Sequence, residues 1–167
     1  KYINEDLVKV INYLDEKLCD KWEIYAQPFL NGLLPDILIL HPEKGIHIFC
    51  QGDESKEKTR IEFIDREIRN IYCPRIGNDE KPFPWAVSKT IIADIETDIK
   101  PTKFLKIFTI EQLLQEKVEA VVSFVKEKPR NGFNSDLADD LRGWLRPSDF
   151  RLDQISEIER LDRKQQE

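Results

Sequence analysis

The sequence has no methionine, two histidines, three cysteines and six glycines in 167 residues. Each scarcity excludes something. Two histidines, His41 and His47, are too few for a His-rich metal cluster. Cys19, Cys50 and Cys73 fall in no C-x-x-C spacing. That argues against a zinc site or a disulfide framework and points to a reduced, cytoplasmic setting. No uncharged apolar run approaches the roughly 20 residues of a bilayer-spanning helix, so no membrane partner is expected. A basic segment followed by an apolar core is missing at the start, so no secretory signal is read there. No phosphate-cradling GxxxxGK[ST] loop and no Ser/His/Asp set is present. The net charge of −6 opposes a surface that grips nucleic acid all over and leaves room for a local basic groove. The chain opens on Lys1 with no methionine, which suggests a fragment, a processed chain or an incomplete one.

What is present has clear periodicity. Asn4 suits a helix N-cap, with Glu5 and Asp6 against the positive end. Leu7, Val10, Ile11, Leu14 and Leu18 recur on one helical face. Residues 22–27 suit a short strand ended by Pro28. Asp36–Leu40 and Ile46–Cys50 flank a Pro/Gly turn, which predicts a hairpin. The nearly unbroken apolar run of the first arm predicts a buried central strand. Residues 52–60 read as a polar loop before a helix carrying Ile61, Ile64, Ile68 and Ile71. Strands are expected over 86–93 and 104–108. Thr109 and Gln112 form a capping box for a helix that continues or restarts over Val118–Val125. Ser135 can cap a helix carrying Leu137, Leu141, Trp144 and Leu145. Ser148 can start a last one with Leu152, Ile155, Ile158 and Leu161. The expectation is an α/β fold: a small mixed central sheet flanked by helices, with a helical C-terminal tail. Residues 1–128 form the α/β domain and 129–167 a helical connector.

Chemistry points first to Asp36, which opens an apolar strand directly after Pro35. A carboxylate there is costly unless it is paired or binds a cation. Glu5 or Asp6 on the first helix can add an oxygen, and the hairpin brings Cys50 and Gln51 alongside. The plain alternative is that Asp36 caps a turn and faces solvent. Lys56, Lys58 and Arg60 suit phosphate contacts, but they alternate with acids, and a solvated charged face has the same pattern. Cys50 and Cys73 lack a neighbouring base and read as structural. Trp85 and Trp144 suit base stacking or ordinary packing. Ile61–Ile71 and Val118–Val125 are stripes for core packing or self-association into a homo-oligomer.

Residues 27–51 resemble the core of the nuclease-related domain (NERD), a family similar to the PD-(D/E)xK nucleases. The resemblance lies in Pro35-Asp36, an apolar strand, a Pro-x-x-Gly turn and a second apolar strand. Residues 69–76 resemble a segment found where this domain precedes a UvrD-like helicase. Leu141–Phe150 and Leu161–Glu167 resemble the connector and entry to such a helicase. The resemblance implies a restriction-endonuclease-like fold, Mg²⁺ or Mn²⁺ as cofactor, and DNA and a helicase domain of the same parent protein as partners. It also implies Asp36 as the first metal-binding acid, with Glu5 on the helix. At the family's E-x-K this chain has Cys50, Gln51 and Gly52. Shifting by one residue puts Gln51 at the acid position, where its oxygen can ligate a metal without charge. No lysine follows. Three readings stay open: a metal-dependent nuclease with residues missing after Gln51, a degenerate nuclease, and a non-catalytic module that binds DNA or protein.

Overall fold

The computed structural model describes residues 4–19, 21–28, 33–72, 87–96, 100–102, 104–122, 124–125, 135–145 and 150–151. Helix α1 (Glu5–Lys17) starts where the side chain of Asn4 accepts the Leu7 N–H at 2.9 Å. Its apolar stripe, Leu7, Val10, Ile11 and Leu14, is buried. Strand β1 (Glu23–Ala26) pairs antiparallel with β2 (Ile37–His41), which pairs antiparallel with β3 (Gly45–Gly52). The hairpin lies where the Pro/Gly turn places it. Helix α2 (Glu54–Tyr72) then crosses to β4 (Val87–Ala93), which runs parallel to β3. Strand β5 (Leu105–Thr109) adds in parallel beside β4. Three helices follow: α3 (Ile110–Gln115), α4 (Val118–Val121) and α5 (Ser135–Trp144). The two-residue β6 (Phe150–Arg151) closes the far edge against β1, giving the order β5-β4-β3-β2-β1-β6.

Strand periodicity sorts the core into two layers. On one face, Leu38, Leu40, Ile46, Ile48 and Ile91 pack against Ile61, Ile64 and Ile68 of α2 and Ala138 and Leu141 of α5. On the other, Ile37, Ile39, Phe49 and Ile92 pack against α1, Leu113 of α3 and Val118 and Val121 of α4. β2 is buried along its whole length because strands flank it and helices cover both faces. The fold is therefore α/β, a mixed sheet between helices. Among the described residues no helix is long and apolar enough to cross a membrane.

Two expectations change. The polar stretch 54–60 is not a loop but the first two turns of α2. Asp53 starts it, accepting from the N–H groups of Ser55 and Lys56 and from the Ser55 hydroxyl. These turns carry no apolar stripe because the core contacts of α2 begin at Ile61. Of the two readings of the stripes Ile61–Ile71 and Val118–Val125, core packing holds for Ile61, Ile64, Ile68, Val118 and Val121. A helix starting at Ser148 meets Phe150–Arg151 in extended pairing with β1. The rest of that stripe lies outside the described residues, as do Cys73, Trp85 and the helicase-like segments 73–76 and 161–167.

The candidate site at the end of β2 and β3

Asp36 sits one residue before β2, where β1, β2 and β3 end together. Gln27 has left-handed φ (46°), an unusual conformation for a non-glycine residue. Its N–H donates to the Asp36 carbonyl at 2.7 Å, and the Asp36 N–H donates to the Phe49 carbonyl at 3.0 Å. These bonds fix the backbone of Asp36 between its two neighbouring strands. Its carboxylate is then held from two directions. Oδ2 accepts the Gln51 N–H at 2.7 Å. The Arg60 guanidinium lies 3.3 Å from Oδ2 through Nη1 and 3.3 Å from Oδ1 through Nη2.

Arg60 is itself surrounded by acceptors. Nη1 donates to both oxygens of Glu57 at 2.9 Å, and Nη2 to the Leu34 carbonyl at 2.7 Å. Glu57 and Arg60 stand three residues apart on α2, so both reach the same spot. Burial raises the Glu57 pKa above the usual carboxylate value, and the charge and hydrogen bonds of Arg60 oppose that rise. Gly52 makes room for the group. Its φ is +148°, and a Cβ built on it would come within 2.9 Å of Glu57 Oε1. Cys50 lies beside these charges, and burial pushes its thiol up to about 12. It is a neutral, structural thiol, as expected for Cys50.

Gln51 belongs to this end of the sheet through its main chain only. Strand alternation places its side chain on the α1 face. There Oε1 accepts from Asn4 Nδ2 at 2.9 Å, and Nε2 donates to Asp6 Oδ2 at 3.1 Å. Asp36 and the Gln51 side chain thus serve opposite faces. Glu5 is exposed on the first turn of α1, and its neighbour Asp6 is the acid that reaches Gln51. Lys56 is exposed and Lys58 half-buried, whereas Arg60 is engaged with Asp36 and Glu57. Among the described residues no group of three or more His, Cys, Asp or Glu side chains is gathered to hold a metal ion.

Sequence reading missed Glu57. Its signal was available: an acid three residues before an arginine, on a segment following the hairpin. Reading 52–60 as a loop hid that helical spacing. Of the three residues Cys50, Gln51 and Gly52, Cys50 and Gly52 adjoin the Asp36 group. Neither carries charge there; the second acid and the cation come from α2. No family model, curated protein or solved structure matches the chain.

Proposed function

We propose that this chain is a nuclease-related domain of restriction-endonuclease-like build that works on DNA beside a UvrD-like helicase of its parent protein, in the cytoplasm, as a binding module that does not cleave. The observation that carries this reading is the state of Asp36. It stands where the resemblance puts the first metal-binding acid, and both its oxygens already have donors. The order α1, β1, β2, β3, α2, β4 supports it, because one meander and one crossover bring Asp36 and the end of β3 to the N-terminal turns of a helix.

The donor set does not fit Mg²⁺ or Mn²⁺. Such an ion needs six oxygens in near-octahedral order at about 2.0–2.1 Å. Here Asp36 and Glu57 supply the carboxylates, Arg60 bonds to both, and the exposed Asp94 adds its charge near Glu57. The amide oxygen of Gln51 is turned to Asn4. The reading therefore assigns no metal-dependent step to this chain.

DNA contact is assigned to the outward face of α2. Lys56, Thr59, Phe63, Arg66 and Asn70 recur there at helical spacing and are exposed, Phe63 by 50%. These five positions carry two cations and no acid, although α2 as a whole holds five acidic residues. Glu57 lies at the site and Asp65 in the core, while Glu62 and Glu67 border this face. Phosphates suit Lys56 and Arg66, and an unpaired base suits Phe63.

The test pairs cleavage with binding. The expected result is no nicking of supercoiled plasmid or single-stranded oligonucleotide in Mg²⁺ or Mn²⁺ above that of Asp36→Ala. Oligonucleotide binding, followed by fluorescence anisotropy, should weaken with salt and in Lys56→Glu/Arg66→Glu. Metal-dependent cleavage abolished by Asp36→Ala would replace this reading with an active nuclease. Absence of any binding would leave the protein-docking alternative.

A further inference from the structure

We propose that Arg60 is the resident cation of this site: its guanidinium holds the place between Asp36 and Glu57 that a divalent ion would need, so the chain neutralises its own acids and takes up no Mg²⁺ or Mn²⁺ there. The inference stands on the contacts of three side chains and does not depend on DNA binding.

Two carboxylates with little exposure lie at this spot. The side chain of Asp36 is 18% exposed and that of Glu57 13%. Two such acids repel unless a positive charge lies between them. Arg60 supplies it with a planar fork that one point charge cannot match. Nη1 is shared by Asp36 and Glu57, and Nη2 lies between Asp36 Oδ1 and the Leu34 carbonyl. Its position is over-determined: helix α2 fixes it beside Glu57, and the Gln51 N–H fixes the carboxylate it meets. Gly52 completes the fit, since any side chain there would press on Glu57.

The geometry also explains how the site can lack a lysine after Gln51 and still balance charge. A cation arriving from the strand at position 52 would occupy the space Glu57 fills. Helix α2 delivers both the second acid and the cation instead, one turn apart. The site is thus closed by a crossover between sequence-distant segments rather than by the hairpin alone.

Metal binding itself tests this, with no DNA present. MnCl₂ is titrated at pH 7.5 into the whole chain and followed by calorimetry and by melting temperature against an EDTA control. The wild type should show neither saturable heat nor a rise in melting temperature. Arg60→Met should gain a Mn²⁺-dependent rise and bind Mn²⁺ at least about tenfold more tightly than wild type, since two acids lose their competing cation. The double variant Arg60→Met/Glu57→Gln should lose that gain, and Arg60→Lys, which keeps the charge and loses the fork, should take up no Mn²⁺ but melt below wild type. Saturable Mn²⁺ binding to the wild type that Asp36→Asn removes would overturn the proposal. So would a folded Arg60→Met with no metal response. If Arg60→Met does not fold, Arg60→Gln takes its place, and the wild-type titration decides in any case. DNA binding can fail its own test without affecting any of these outcomes.

Discussion

Helix α2 carries two charged groups that differ in a telling way. At its N-terminal turns one cation, Arg60, sits between two acids, Asp36 and Glu57. About 13 Å further along the axis, one acid sits between two cations. Asp65 meets Arg69 at 2.5 Å and Lys89 of β4 at 2.7 Å, and is 7% exposed. Arg69 also donates to the Val87 carbonyl, so this second group ties helix to sheet. Both groups are acid–arginine pairs one helical turn long. The difference is where they lie. The Asp65 group is enclosed by the core, and its charges serve anchoring. The Asp36 group lies at the ends of the strands, where the Arg60 side chain is still 34% exposed. Identical residue types thus give a strut in one place and a candidate site in the other.

The sharpest way to break that contrast is Asp65→Ala. It takes the acid away from two cations whose side chains are only 15% and 13% exposed. Removing one partner of a buried pair costs about 3–5 kcal/mol, a fall of roughly 10 °C or more in melting temperature for a chain of this size. A fall within about 2 °C would show that the group is not an anchor.

A second measurement asks what a buried polar group does without any ionic partner. His47 is fully buried on β3, its Nε2 2.7 Å from Thr90 Oγ1 and its Nδ1 bonded to Ser88 Oγ. Burial first, then Lys106 and Lys89, lowers its pKa from 6.5 to about 3. Above pH 6.5 the imidazole is neutral in both states and contributes no pH dependence. Below it, the unfolded chain takes a proton that the folded chain refuses. Stability should therefore fall by about 1.4 kcal/mol per pH unit as pH drops from 6.5 toward 3. Between pH 6.5 and 5, where most carboxylates stay ionised, that amounts to about 2 kcal/mol. Urea melts of wild type and His47→Gln should diverge in that window. His41, whose pKa is also lowered, is present in both. Parallel pH profiles would mean that His47 is protonated in the folded protein.

The smallest expected effect sharpens the site itself. Gly52→Ala places a Cβ against Glu57 and forces a residue with a side chain into φ +148°. The cost should be about 1–2 kcal/mol. Gly52→Ala/Glu57→Ala should recover only the part due to the clash. Full recovery would show that the backbone carries no strain, and a neutral Gly52→Ala would show that Glu57 is not packed against it.

Much of the fold was legible because its signals are local. Asn4 capping α1, the Pro/Gly hairpin between β2 and β3, and the Thr109–Gln112 capping box are fixed by residues within a few positions of each other. The error over 52–60 has an equally local cause. That stretch has no apolar period, because its turns lie ahead of the core contacts, and such polarity has the pattern of a loop. The missing signal was the Asp53 cap followed by the Glu57–Arg60 pair.

By itself the sequence determined the α/β class, the buried β2, the two apolar helix stripes and the position of Asp36 at the mouth of the hairpin. Capping, turn chemistry and periodicity act over one to four residues, and one sequence displays them directly. Only the tertiary structure decided what Asp36 meets. The pleat turns the Gln51 side chain to α1 and leaves only its N–H for Asp36, while the crossover returns α2 so that Arg60 and Glu57 reach a carboxylate 24 and 21 positions away. Such pairings depend on which face each residue takes and how two elements cross.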